Sequence, residues 1–404
     1  MLKVLFVDDD SAILEGLRRT LHRQRREWDM DFVTSGREAL ERLEREAVDV
    51  LVSDMRMPEM DGAELLMRAQ QQSPETVRFV LSGYSELEAV MRTVPVAHQF
   101  LTKPCDPEVL RRAVGRACEI RELMKSEPLR ALVGEIRSLP TLPATYHQLV
   151  RMMADPEVDL DRVVQLVEKD IGVSTKLLQL GNSAFFGLPR KIESVSEAIH
   201  YLGLNTIRDL VLGIEVFQPP EGLCRSLLAF LSHLQRRSSW VASLARSLCE
   251  NWAGRERAFL GGMLHDVGLL VLATELSERF SETLREARES GRTLARVEEE
   301  TYGATHMEVG AYLLGVWGLP YPVLEAAAFH HEPARLQHPC FDETVAVHVA
   351  GALVEEVLPL LGEGSPNNWP LDRELLEQLH LSDQLDEWRA RRDELQPSGC
   401  EEKE

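Results

Sequence analysis

Two groups of side chains in this sequence could do chemistry, and they sit in different parts of the chain. The first is a set of carboxylates, a hydroxyl and an ammonium at the ends of short apolar runs. Val48 to Ser53 is mostly apolar and β-branched, the pattern of a parallel strand buried on both faces, and it ends on Asp54. Leu2 to Val7 ends in Asp8-Asp9-Asp10, Val77 to Leu81 in Ser82-Gly83, and His98 to Thr102 in Lys103-Pro104. Acidic residues at the carboxyl ends of buried parallel strands stand where open α/β sheets hold their ligands. Clustered carboxylates suit a hard divalent cation such as Mg2+, bound through oxygens with several waters retained. An ionised Asp54 needs no base to attack a phosphoryl group, and Mg2+ with the Lys103 point charge would neutralise the phosphoryl oxygens.

The second group is His265-Asp266, in an apolar helical context, with His306, the pair His330-His331 and His348 downstream. A single histidine is more often packed or surface-exposed than a ligand. An adjacent His and Asp can both ligate only if other helices bring further ligands to them.

The elements that must position these groups divide the chain. Alternating strand and helix patterns recur five times over about 120 residues, the length of one α/β domain. Its last helix is marked by Asp106 as N-cap, Pro107 at the first position and Glu108 at the positive end of the dipole. Apolar residues then recur at helical spacing to Met124, and the pattern can continue to Glu127, with Pro128 as a stop. The expected organisation is an α/β domain over 1–122, a helical junction over 123–138, an all-α domain over 139–361, a helical extension over 362–396 and a disordered tail over 397–404. Leu371, Leu375, Leu376, Leu379, Leu385 and Trp388 are the expected docking residues of the extension.

A length of 404 residues predicts two or three domains, and 44% hydrophobic content can build sizeable cores. The 45 basic and 66 acidic residues leave a net charge of −21, which repels phosphate backbones and disfavours nucleic acid as a partner. Six scattered cysteines without a C-x-x-C pair fit free thiols in a reducing cytoplasm. No run of eighteen apolar residues supports a membrane span, and the first residues run straight into a strand.

Residues 1–122 resemble the receiver domain of two-component response regulators, a flavodoxin-like fold with a five-stranded parallel sheet. The resemblance rests on Asp8-Asp9, on Asp54 in D-M-R-M-P-x-M-D-G, on Ser82-Gly83 and on Lys103-Pro104. It implies that Asp54 is the phospho-acceptor, served by a cognate histidine kinase or phosphotransfer protein. Asp9 and Asp54 would hold Mg2+ with the Arg56 backbone carbonyl, and Asp8 would act through water. Ser82 and Lys103 would grip the phosphoryl group, and Phe100 takes the aromatic switch position, moving inward on phosphorylation.

Residues from about 129 to 361 resemble the HDOD domain, an all-α relative of the metal-dependent HD phosphohydrolases. The carriers are L-P-x-L-P at 139–143, L-L-Q-L-G-N-S-A-F-F-G at 177–187, His265-Asp266, W-G-L-P at 317–320 and His330-His331-Glu332-Pro333. Hydrolytic relatives use a His on an earlier helix and a late Asp, and here Arg237 and Gly351 stand at those places. Leu269 replaces the Lys that follows the motif in the HD-GYP enzymes, and no G-Y-P follows His306. His233 and His348 lie on the same helix faces but about 5 Å away, too far to replace ligands that tolerate about 0.2 Å.

Asp266, His306, His330 and His331 remain as a set that could hold one metal. The expectation, however, is a vestigial site without a metal, in which Arg237 pairs with Asp266 and supplies the missing positive charge. The expected function is a phosphorylation-controlled, non-enzymatic protein-interaction output toward an unknown downstream protein, cytoplasmic, with a homodimer as one form. The alternative is a receiver-controlled metal-dependent phosphodiesterase acting on a cyclic dinucleotide or nucleotide.

Overall fold

The computed structural model describes residues 1–83, 93, 95–124, 126–136, 139, 141, 143–153, 155, 158–182, 191–213, 223–336, 341–362 and 369–396. The receiver's expected fourth helix (around 85–93), most of the N-S-A-F-F-G stretch and the 397–404 tail therefore lie outside the described residues.

Five strands form one parallel sheet: β1 (Leu2–Val7), β2 (Trp28–Val33), β3 (Val50–Asp54), β4 (Val77–Ser82) and β5 (Gln99–Thr102), in the order β2-β1-β3-β4-β5. All pairings are parallel, and β3 and β4 are buried along their whole length, as their mostly apolar runs lead one to expect, with Arg78 the buried exception in β4. Helices α1 (Ser11–Thr20), α2 (Gly36–Arg45), α3 (Gly62–Gln72) and α4 (Pro107–Leu123) flank the sheet. Asp10, Asp61 and Asp106 accept from the first-turn amides of α1, α3 and α4, so the third aspartate of the Asp8-Asp9-Asp10 run is spent on capping.

The junction differs from its expected course. α4 ends at Leu123, and α5 (Glu127–Glu135) begins anew with Pro128 in its first turn, where a missing amide costs nothing. α5 is bolted to the α/β domain. Arg78, fully buried on β4, donates from Nη2 to Gly134 O at 2.6 Å, and Gln70 Nε2 donates to Glu135 O at 3.1 Å.

The second part is helical throughout: α6 (Pro143–Met153), α7 (Leu160–Val167), α8 (Ile171–Gly181), α9 (Val195–Gly213), α10 (Arg225–Leu248), α11 (Trp252–Leu264), α12 (Val267–Glu275), α13 (Ser277–Ser290), α14 (Leu294–Tyr302), α15 (His306–Val316), α16 (Tyr321–Phe329) and α17 (Glu343–Glu355). Among the described residues, the short helices α18 (Arg373–Gln378) and α19 (Leu385–Glu394) come last. Leu375, Leu376 and Trp388 are buried in a core shared with α10 and α17, and Leu371, Leu379 and Leu385 pack against it. Trp252–Glu275 is long and apolar enough to cross a membrane, but 89% of its apolar window is buried inside the fold.

The two parts share one hydrophobic core. Ile120 on α4 seats against Gly315 on α15, where any Cβ would come within 2.4 Å of Ile120 Cδ1. Gln99 Nε2 on β5 donates to Val316 O at 3.2 Å, Gln179 Nε2 on α8 donates to His98 O at 3.1 Å, and Arg116 donates to Leu319 O. The last strand and last helix of the α/β domain are thus covered by the helical domain.

Candidate functional site

At the carboxyl edge of the sheet, carboxylate oxygens of Asp8, Asp9 and Asp54 lie within 4.8 Å of one another, the last two steps of register between β1 and β3 setting their spacing. Lys103 Nζ bridges Asp8 Oδ2 at 2.7 Å and Asp54 Oδ1 at 2.6 Å. Burial pushes the Asp54 carboxyl upward, an effect Lys103 opposes. Burial would lower the Lys103 ammonium, but its hydrogen bonds to Asp54 and Asp8 outweigh burial and raise it. Three hard oxygen donors with one exposed member, Asp9, fit a Mg2+ that keeps its waters.

Ser82 is buried at the end of β4, level with Thr102 of β5. Arg56, two residues past Asp54, is exposed on a loop pinned by Met55 N–H to Leu81 O and Gly62 N–H to Met55 O, each 2.9 Å. Phe100 is only 1% exposed. The expected inward swing of this ring therefore has no outward starting point here.

In the helical part, Asp266 ends the His-Asp pair at the N-cap of α12, His306 opens α15, and His330 and His331 follow α16. Gly268 allows this convergence, since a Cβ there would meet His306 O at 1.9 Å. Ring nitrogens of His306, His330 and His331 lie within 4.8 Å of one another. Asp266 Oδ1 is 3.6 Å from both His306 Nε2 and His330 Nε2.

The outward-facing nitrogens are already committed. His265 Nδ1 donates to Gly262 O at 2.7 Å, His330 Nδ1 to Ala327 O at 3.0 Å, and His306 Nδ1 to Glu298 Oε2 at 2.6 Å. Each Nε2 is left without a hydrogen bond, although His265 Nε2 approaches Asp266 Oδ2 at 2.9 Å, out of line for one. This is how histidines are oriented around a metal, with the far nitrogen held by a carbonyl or carboxylate.

Burial opposes ionisation of Asp266, but His265, His306 and His330 outweigh it and hold the carboxyl well below its usual range. Burial pushes the His330 and His331 imidazoles well down, whereas Glu298 and Asp266 overcome burial at His306 and raise it.

The expected Arg237–Asp266 pair does not form. Arg237 Nη1 lies 2.7 Å from Glu355 Oε2, both side chains are buried, and the same guanidinium donates to Leu358 O. Glu355 lies one helical turn beyond Gly351 on α17, so Arg237 is drawn to the end of that helix and away from the histidines.

Gly351 is also where the late carboxylate is missing, and Trp369 fills that volume: a Cβ on Gly351 would come within 2.1 Å of its ring. The indole lies against His265, His330 and His331, with ring centroids 5.0, 4.8 and 4.8 Å apart. His348 props the arrangement, donating from Nδ1 to His330 O at 2.7 Å and accepting the Asp372 N–H at Nε2 at 3.0 Å. His233 turns to Pro359 O.

Sequence reasoning missed Trp369, Glu298 and Glu355. Glu298 could have been found. Leu294 and Val297, four and one residues before it, mark the buried face of α14, and Glu298 is itself 0% exposed.

The geometry agrees with comparisons against known proteins. The response regulator receiver domain family matches residues 4–115, and the HDOD domain family matches residues 139–333. The chain is a response regulator receiver joined to an HDOD domain. The hydrogenase transcriptional regulatory protein HoxA of Cupriavidus necator is 30% identical over 222 residues, 52% of this chain and 44% of that protein. HoxA of Bradyrhizobium diazoefficiens is 30% identical over 188 residues, 45% of this chain and 36% of its own length. The chain thus spans less than half of these curated relatives. The crystal structure of the MmoQ response regulator from Methylococcus capsulatus aligns with a TM-score of 0.49 at 25% identity, over 63% of this chain and 98% of that one.

Two outcomes follow from this geometry. Arg237→Ala should destabilise the fold by about 3–5 kcal/mol by leaving the buried Glu355 carboxylate without its guanidinium, while Asp266 keeps its histidine neighbours; urea unfolding measures the loss. Stability should also fall with pH. His98, His330 and His331 are held neutral chiefly by burial, as is His348, and burial takes His233 to about 4. In the unfolded chain they titrate near ~6.5, so below that pH the unfolded state binds more protons and ΔG of unfolding decreases. His306, raised, contributes the opposite slope but is outnumbered. The urea midpoint should drop between about pH 7 and about pH 5, and a flat midpoint would contradict the assignment.

Proposed function

We propose that this response regulator is switched by phosphorylation of Asp54 and that its HDOD domain is a non-enzymatic surface for a downstream protein. A histidine kinase or phosphotransfer protein supplies the phosphoryl group. Asp54 attacks phosphorus as the donor's phosphorus–nitrogen bond breaks and its histidine leaves; Asp9, Asp54 and the Arg56 carbonyl would hold a Mg2+, with Asp8 acting through water, and the ion would neutralise the phosphoryl oxygens. Ser82 and Lys103 take the phosphoryl oxygens, and Lys103 must leave at least one of its two carboxylate partners to do so. Phe100, paired with Val80 of β4 and already buried, is the residue through which that rearrangement repacks β5. The protein works in the cytoplasm, as a monomer or homodimer.

The observation that carries the non-enzymatic reading is Trp369 over Gly351. Its indole occupies the volume of the missing carboxylate and caps His265, His330 and His331, and Asp266, His265, His306 and His330 are all at most 2% exposed. A hydrolase needs an open coordination position and room for substrate, and among the described members of this centre only His331 is partly exposed. The phosphodiesterase reading is favoured by the converging Nε2 atoms alone. HoxA is named a transcriptional regulator, but a net charge of −21 argues against direct contact between this chain and nucleic acid.

The test compares wild type with Asp54→Asn, each treated with a small-molecule phosphodonor, in affinity capture from the source lysate and in a cyclic-dinucleotide hydrolysis assay with Mn2+. Capture of a partner that depends on Asp54, with no turnover, is expected. Turnover lost in His265→Ala would overturn the reading in favour of the phosphodiesterase.

A further inference from the structure

The buried histidine cluster poses an electrostatic problem that hydrogen bonds do not solve. With Nδ1 of His306 and His330 donating outward, both rings turn a buried Nε2 without a hydrogen-bond partner toward the Asp266 carboxylate. The two Nε2···Oδ1 separations of 3.6 Å are too long for hydrogen bonds. They are close to the edge of a coordination tetrahedron, about 3.3 Å for bonds of 2.0–2.1 Å. Buried Nε2 atoms that converge on a carboxylate across such distances, each with its far nitrogen held, are arranged as ligands around a cation. Arg237, expected to provide that charge, is 2.7 Å from Glu355 instead.

We propose that Asp266, His306, His330 and His331 hold a single divalent ion of the zinc class as a closed, structural site that ties the starts of α12 and α15 to the end of α16. Three imidazoles and one carboxylate suit zinc and its transition-metal neighbours and not Mg2+, which prefers oxygen and retains water. His265 stays outside the set, because its Nε2 lies beside the other oxygen of Asp266 and Trp369 lies against its ring. Glu298 is the positioning residue. Fully buried, it accepts both the backbone N–H of His306 at 2.9 Å and its Nδ1–H at 2.6 Å, fixing the tautomer that leaves Nε2 free to ligate. His331, half-buried, is the ligand through which the ion enters. Nothing in this inference requires hydrolysis, so it goes beyond the proposed function and can fail separately from it.

The experiment is elemental analysis of the full-length, tag-free protein purified without chelator, paired with thermal unfolding before and after exhaustive chelation. About one zinc-class ion per chain is expected, with a midpoint lowered by roughly 5–10 °C on stripping and restored by Zn2+ but not by Mg2+. His331→Ala, at a half-buried position where folding should survive, should lose the ion and the chelator-sensitive shift, while Asp9→Asn in the receiver should keep both. A metal-free protein with an unchanged midpoint, or full stoichiometry in His331→Ala, would overturn the assignment. Metal with cyclic-dinucleotide turnover would sustain this site and overturn the non-enzymatic reading instead.

Discussion

The seating of Ile120 against the bare backbone of Gly315 fixes where the last strand and last helix of the receiver lie on the helical domain. It makes α15 the shared part of the molecule. The C-terminal end of that helix meets β5 and α4 through Ile120, Gln99 and the Arg116 contact just beyond it. Its N-terminal end is His306, held by Glu298 and facing Asp266. Eleven residues of helix span about 16 Å as a rigid rod. A tilt at the receiver end would move an imidazole in the buried cluster, and a constraint at the cluster would resist that tilt. Coupling of this kind is reciprocal.

The cluster around Asp266 is packed by a side chain from far along the sequence. At Gly351, where the resemblance to HD phosphohydrolases led a late carboxylate to be expected, the chain supplies Trp369, and α18 and α19 anchor that segment on α10 and α17. Trp240 Nε1 donates to Arg392 O at 3.0 Å, and Arg392 Nη1 donates to Leu353 O at 3.0 Å, so the extension is part of the domain's core. Close packing explains why the two residues belong together: a glycine at 351 with no indole above it would leave a cavity among polar rings.

The receiver was legible because its chemistry lies at strand ends. Apolar runs locate the strands, and the residue that breaks each run falls at the carboxyl edge, where Asp54, Ser82 and Lys103 are found. The same logic placed Asp106 and Pro107 at the start of the last receiver helix. It failed where side-chain reach decides the partner. Arg237 is long enough to choose among several carboxylates, and spacing alone could not show that Glu355 is nearer than Asp266. Trp369 sits in a segment rich in Gly, Pro and Asn, with no periodicity to orient it. Glu298 is the first of three consecutive glutamates and reads as surface until its place on the buried face of α14 is counted.

The central claim is that the phosphorylation state of Asp54 is felt along α15. Hydrogen exchange of the full-length protein, with and without Mg2+ and a beryllium fluoride phosphoryl mimic, tests it most directly. The account predicts altered protection in 98–120 together with 306–319, and unchanged rates in both when Asp54→Asn replaces the wild type. A response confined to the loops around Asp9, Asp54 and Lys103, with α15 unaffected, would contradict it.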